Sequence, residues 1–162
     1  MDTNVCILSN RRLGEELQCA SKCAKELNDI VTKGLLVIDA AGEVFEEYRR
    51  HLSFAGQPGI GDMLFKWLVD NRYRADRVAQ IALTPHPVRE ADYVEFPDDP
   101  ALEGFDRDDR IFVALALAHP QNPAILNAVD SDYWHYRATL TGHGVTVFHV
   151  CGHQHYKPHS HA

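Results

Sequence analysis

The chain has 162 residues, 45% of them hydrophobic and 24% charged, with 16 Lys and Arg against 23 Asp and Glu and a formal net charge of −7. This is the composition of one globular domain with a core, which excludes wholesale disorder and argues against a coat of bulk positive charge for nucleic acid. No apolar run reaches the roughly 20 residues that span a bilayer, and the opening MDTNVCILSNRR lacks a basic-then-apolar leader, so a cytoplasmic protein without a membrane partner is expected.

In chain order, residues 13–32 carry Leu13, Leu17, Ala20, Ala24, Leu27 and Ile30 at three-to-four spacing, which predicts an amphipathic helix stopped by Gly34. The apolar run 35–38 suits a central strand of a parallel sheet. A helix is expected over 43–52 with Val44, Tyr48 and Leu52 inward, and another over 60–69 with Met63, Leu64, Trp67 and Leu68 inward. A strand over 77–83 ends at Pro85 and Pro87, and an irregular excursion follows to Gly104 with an edge strand over 93–96. A helix over 108–119 has an acidic start and buries Ile111, Phe112, Leu115 and Ala116. A strand over 124–129, a helix over 132–140 and a strand over 145–150 complete the set. This alternation predicts an α/β fold, a three-layer α/β/α sandwich around a mostly parallel central sheet. One domain over 1–151 is expected, followed by a flexible tail, 152–162, rich in histidine (His153, His155, His159, His161).

The four cysteines, Cys6, Cys19, Cys23 and Cys151, are scattered, which suits reduced thiols better than a disulfide framework. Cys19 and Cys23 share one helix face, and with Cys151 and His153 they would complete a tetrahedral zinc site; the plainer alternative is that small cysteines fill the core.

In an open parallel sheet, chemistry gathers beyond the carboxyl ends of the strands. Asp130 and Asp132 follow the strand over 124–129; Asp106, Asp108 and Asp109 precede a long helix; Glu46 and Glu47 follow the strand over 35–38; Asp2 stands at the start. Carboxylates that converge repel one another by about 4 kcal/mol per pair at 4 Å and an intermediate dielectric, and hard cations relieve this. Oxygen ligands select Mg²⁺ or Mn²⁺. Capping by Asp106 or Asp108, and turns at Asp98 and Asp99, are the simpler uses of those acids.

Four stretches, in order, resemble the PIN domain, a family of metal-dependent nucleases that includes many toxins. They are Asp2-Thr3-Asn4-Val5, the segment VFEEYRR at 44–50, the segment DRDDRIFVALA at 106–116 and the segment NAVDSD at 127–132. The resemblance covers residues 1 to about 151. It implies Asp2, Glu47, Asp109 and Asp130 as the catalytic acids, with Asp2, Asp109, Asp130 and Asp132 on the metal and Asn4, Asp106 and Ser131 supporting them. It further implies a Mg²⁺- or Mn²⁺-dependent endonuclease cutting RNA, less often single-stranded DNA. A toxin or defence role would bring an antitoxin or defence-system partner, and a homodimer is expected, with the helix over 60–69 as a candidate surface. The sequence departs from the family pattern in three places. Only Met1 stands where the family has a strand before its opening acid, the stretch 53–104 is long enough for a lid or partner surface, and the hydroxyl near Asp130 has to come from Ser131.

Phosphate contacts are expected from Arg50, Arg107 and Arg110, whose guanidinium forks donate bidentately. Trp134, with Tyr133 and Tyr136 beside it, is the candidate for stacking unpaired bases, with core packing as its alternative. Arg49 and Arg50 also stand at helical pairing distance from Glu46 and Glu47, which would make them a solvated face. The alternative function is a catalytically inactive PIN-like module that binds RNA or protein.

Overall fold

The structure, a computed structural model, describes residues 1–10, 17–90 and 92–152. Its first element is a helix, α1 (Thr3–Ser9), capped by the Asp2 carboxylate, which accepts the Asn4 amide. At its other end the Asn10 side chain accepts the amides of Gly61 and Asp62 and so heads α4 (Ile60–Asn71). Asp62 in turn accepts the amides of Ser53 and Gly59. The first four amides of a helix lack partners within it, and Asp2 and Asn10 supply some of them at α1 and α4. α1 and α4 approach closely at Gly61, where a Cβ would lie 2.2 Å from the Cys6 carbonyl oxygen.

α2 (Leu17–Lys33) packs on α1 and α4 with Cys19, Ala20, Cys23 and Leu27 buried, while Leu17 is half exposed. The first part of the expected 13–32 helix, with Leu13, lies outside the described residues. The chain then forms β1 (Leu36–Asp39), α3 (Glu43–His51), α4 and β2 (Val78–Ile81). Asp39 ends β1 and is buried; its carboxylate accepts the amides of Gly42, Glu43 and Val44 and starts α3. After the excursion come α5 (Arg110–Ala118), β3 (Ile125–Asn127), α6 (Asp132–His135), α7 (Arg137–Gly142) and β4 (Val147–His149).

β1 pairs with β2 and β3 with β4, both in parallel, with Leu36 opposite Val78 and Ile125 opposite Val147. Among the described residues these are two separate two-stranded sheets, not one central sheet. The chain is thus α/β in composition, with small parallel sheets covered by helices. Between the two pairs runs a cleft of about 410 Å³, lined on one side by Leu35, Leu36 and Val37 and on the other by Ala124, Ile125 and Leu126, with Met1 at its edge. The Asp2 amide donates to the Leu126 carbonyl on the β3 side of this gap.

Several expectations need correction. The edge strand over 93–96 is a single bridge between Pro85 and Tyr93. The helix over 132–140 breaks at Tyr136 into α6 and α7. On α4, Met63 points out, 56% exposed, and Phe65 takes the buried place beside Leu64 and Leu68. Cys19 and Cys151 are not free thiols: the turn after β4 brings Cys151 against the buried face of α2 with Cα atoms 5.0 Å apart, and the two are joined in a disulfide. The histidines of the tail lie outside the described residues. No helix among the described residues is long and apolar enough to cross a membrane.

Candidate metal centre

Three elements converge at one end of the β3 pair. Asp2 caps α1, Asp109 stands at the start of α5, and Asp130 follows β3. One carboxylate oxygen from each lies within 4.8 Å of the others. Asp2 is buried and the other two are partly so. Burial raises the Asp2 carboxyl to about 7, against the amide of Asn4, with the Asp130 charge adding to the rise. Asp109 rises to about 9, again through burial first and then through the charges of Asp2 and Asp130. Asp130 also rises through burial, partly offset by the Asp132 amide it accepts. Three acids held this way share protons or a cation, because loss of water and mutual repulsion both penalise the bare carboxylates.

Two asparagines fix the group. Asn4 donates to the Asp2 carboxylate and to the Asn127 side chain at 3.1 Å, and accepts the Ala128 amide. Asn127, wholly buried at the end of β3, accepts the Asp130 amide and donates to the Asp130 carbonyl, while its own carbonyl takes the amide of Val150. Asn127 therefore ties Asp130, and Asp2 through Asn4, by its side chain, and the residue after β4 by its backbone. A polar residue ending an apolar strand is the signal in the sequence that marks it.

Thr3 lines the adjoining cleft with Asp2 and Asp109, and Tyr133 lies within electrostatic range of all three acids. Both hydroxyls are buried without a hydrogen-bond partner. The Tyr133 phenol is held far above its ordinary range, by burial and then by the charges of Asp109, Asp2 and Asp130. An orphaned buried hydroxyl costs about 1–3 kcal/mol. It is a group that a bound ion's water or a substrate oxygen would satisfy.

The other expected residues fall into three groups. Asp132 and Asp106 flank the centre: Asp132 accepts the Asp106 amide, and Asp106 accepts that of Asp108 in a turn rather than capping α5. Ser131 precedes α6 without a side-chain cap, its carbonyl taken by His135. Glu47 lines the adjoining cleft of about 440 Å³ together with Asp2, Asp109, Arg50 and Arg107, yet it lies outside the three-acid group. Its carboxylate is drawn away by Arg50 at 2.9 Å and His51 at 3.2 Å.

Arg107 is exposed at the rim of this cleft, and Arg50 stands there too. Arg110 is corrected: it is 5% exposed, paired with buried Asp92 at 2.6 Å and bonded to the Leu102, Glu103 and Phe105 carbonyls, so its charge holds the excursion against α5. Tyr133 is likewise no stacking platform, being buried edge-on against Phe105. Trp134 is half-buried, with Arg137 over one ring face and His149 at its edge.

No family model, no curated protein and no solved structure matches the chain. The site has to be read from its own chemistry.

Proposed function

We propose that the chain is a divalent-cation-dependent hydrolase of phosphodiester bonds, an endonuclease of the PIN-like kind acting on RNA. The observation that carries this reading is the meeting of Asp2, Asp109 and Asp130 beside the orphaned hydroxyls of Tyr133 and Thr3. An all-oxygen donor set of this charge fits Mg²⁺ or Mn²⁺ rather than a soft metal. Such an ion, when bound, polarises a phosphodiester oxygen and acidifies water.

The chain's own groups do the rest. Asn4 and Asn127 keep Asp2 and Asp130 in place, Asp132 sets the Asp130 rotamer through its amide, and Arg50 and Arg107 receive the flanking phosphates. The three-layer PIN arrangement, a toxin or defence role with a protein partner, and dimerisation through the apolar outer side of α4 belong to the same proposal.

Cleavage of end-labelled single-stranded RNA with Mn²⁺ tests it. Asp130→Asn is expected to lower the rate by about ten- to a hundredfold or more, the range that loss of a group merely supporting a metal ligand already costs, and a chelator should abolish activity. Equal activity in the variant, or indifference to chelator, overturns the proposal. A second reading, an inactive RNA- or protein-binding module, is favoured by the diversion of Glu47 to Arg50 and His51. It is distinguished by RNA binding without cleavage and without any rise in melting temperature on adding Mn²⁺.

A further inference from the structure

The acid centre leaves the sulfur chemistry unexplained. Cys19 and Cys23 stand four residues apart on one face of α2, and Cys151 follows β4 from the far end of the sequence. The three sulfurs lie within 4.8 Å of one another, Cys23 Sγ is 3.9 Å from Cys151 Sγ, and all three residues are at most 3% exposed. Core filling accounts for a buried cysteine anywhere. It does not account for three of the four meeting at one point from segments about 130 residues apart.

The disulfide uses two of the sulfurs and leaves Cys23 against it, whereas a tetrahedral thiophilic cation uses all three. With metal–sulfur bonds of about 2.3 Å, the edge of a sulfur tetrahedron is about 3.8 Å, the spacing already present between Cys23 and Cys151.

We propose that the reduced chain binds one soft divalent cation of the Zn²⁺ class through Cys19, Cys23 and Cys151, and that the Cys19–Cys151 disulfide is the closed, cation-free form of the same site. Opening takes a dithiol reductant. Its two electrons and two protons go to the sulfur–sulfur bond, which breaks to two thiols, while the reductant closes to its own disulfide. The cation then displaces the thiol protons and leaves the fourth tetrahedral position to water. This site is separate from the acid centre, whose oxygen ligands prefer harder ions.

The test uses the full chain, reduced, freed of reductant and titrated without air with Co²⁺ as the probe. One equivalent is expected to give sulfur-to-cobalt charge-transfer absorption that one equivalent of Zn²⁺ removes, and the oxidised chain should give none. Imidazole and carboxylate ligands lack that absorption, so binding at the histidine-rich tail or at the acid centre does not mimic it. Cys23→Ser should weaken Co²⁺ binding at least about tenfold. The wild-type chain provides a measurement independent of any variant's folding: Zn²⁺ should slow alkylation of Cys19, Cys23 and Cys151 together in the reduced protein. Absence of the absorption in the reduced wild type, or alkylation of the three indifferent to Zn²⁺, overturns the proposal.

Discussion

Asp109 shows most directly how a single residue carries opposed demands. In the unfolded chain its carboxyl ionises near 3.8; in the folded chain burial and the neighbouring acids hold the proton to about 9. The folded state therefore binds more protons between these values. Its stability is greatest below the unfolded value and falls as pH rises towards the folded one. Asp2 acts in the same direction over a shorter range, to about 7. A divalent cation reverses the preference by stabilising the carboxylates, so its effect should grow with pH.

Thermal melting at pH 5 and pH 8, with and without Mn²⁺, is expected to show the larger gain from Mn²⁺ at pH 8. Asp109→Asn should flatten the apo dependence and remove the gain. Equal gains at both pH values, or a gain retained in the variant, would count against a cation at these acids. Asp130 was legible because it follows an apolar strand, whereas the choice of Asp109 over Asp106 and Asp108, and of Asp2, rested on the resemblance to PIN-domain segments. The roles of Glu47 and Arg110 were not legible, since a charge's partner is set by packing: Glu47 meets Arg50 and His51, and Arg110 meets Asp92.

At the scale of elements, α1 does more than its seven residues suggest. It carries Asp2 at its start, Cys6 within and Asn10 at its end, and it crosses α4 where Gly61 has no side chain. Gly61→Ala would place a methyl group 2.2 Å from the backbone oxygen of Cys6 and push the two helices apart. A loss of about 1–3 kcal/mol is expected, measurable by denaturant unfolding. A second consequence should be weaker Mn²⁺ stabilisation, because Asp2 moves with α1.

α1 was invisible to periodicity: one apolar turn in seven residues carries no repeat, and a helix this short depends on its caps and its neighbours. The longer α2, α3 and α5 were legible because their buried faces repeat. β1, β2, β3 and β4 were legible as apolar runs, but an apolar run does not name its partner, and the pairing into two sheets follows from where the helices place them. The excursion before α5 was legible as irregular, while the buried Arg110–Asp92 pair that holds it was not.

Across the whole molecule, the net charge of −7 describes the acid centre poorly. Asp2 and Asp109 hold part of that charge as protons near neutrality, and Asp39 and Asp62 spend theirs on helix starts. The surface retains Arg107 and the Glu47-paired Arg50 beside the acids, so a phosphate brought there would meet local charge rather than the total.

The gap between the two strand pairs has a consequence in time as well as in shape. In a parallel pair, alternate backbone groups face away from the partner, so Val37 and Asp39 of β1 turn theirs from β2 towards the other pair. The amides of Leu36 and Ala40 are bonded to the β2 side, at 3.0 and 2.8 Å. Neighbouring amides on one strand should therefore exchange with deuterium at different rates, with Val37 fast and Leu36 slow, read by nuclear magnetic resonance. Asp2, whose amide reaches across to Leu126 at 3.0 Å, should be protected on the opposite bank. Uniform protection along β1 would mean that the gap closes in solution. The alternation would instead mean that the seam stays open in solution, its fast amides facing water between two half-sheets braced by helices.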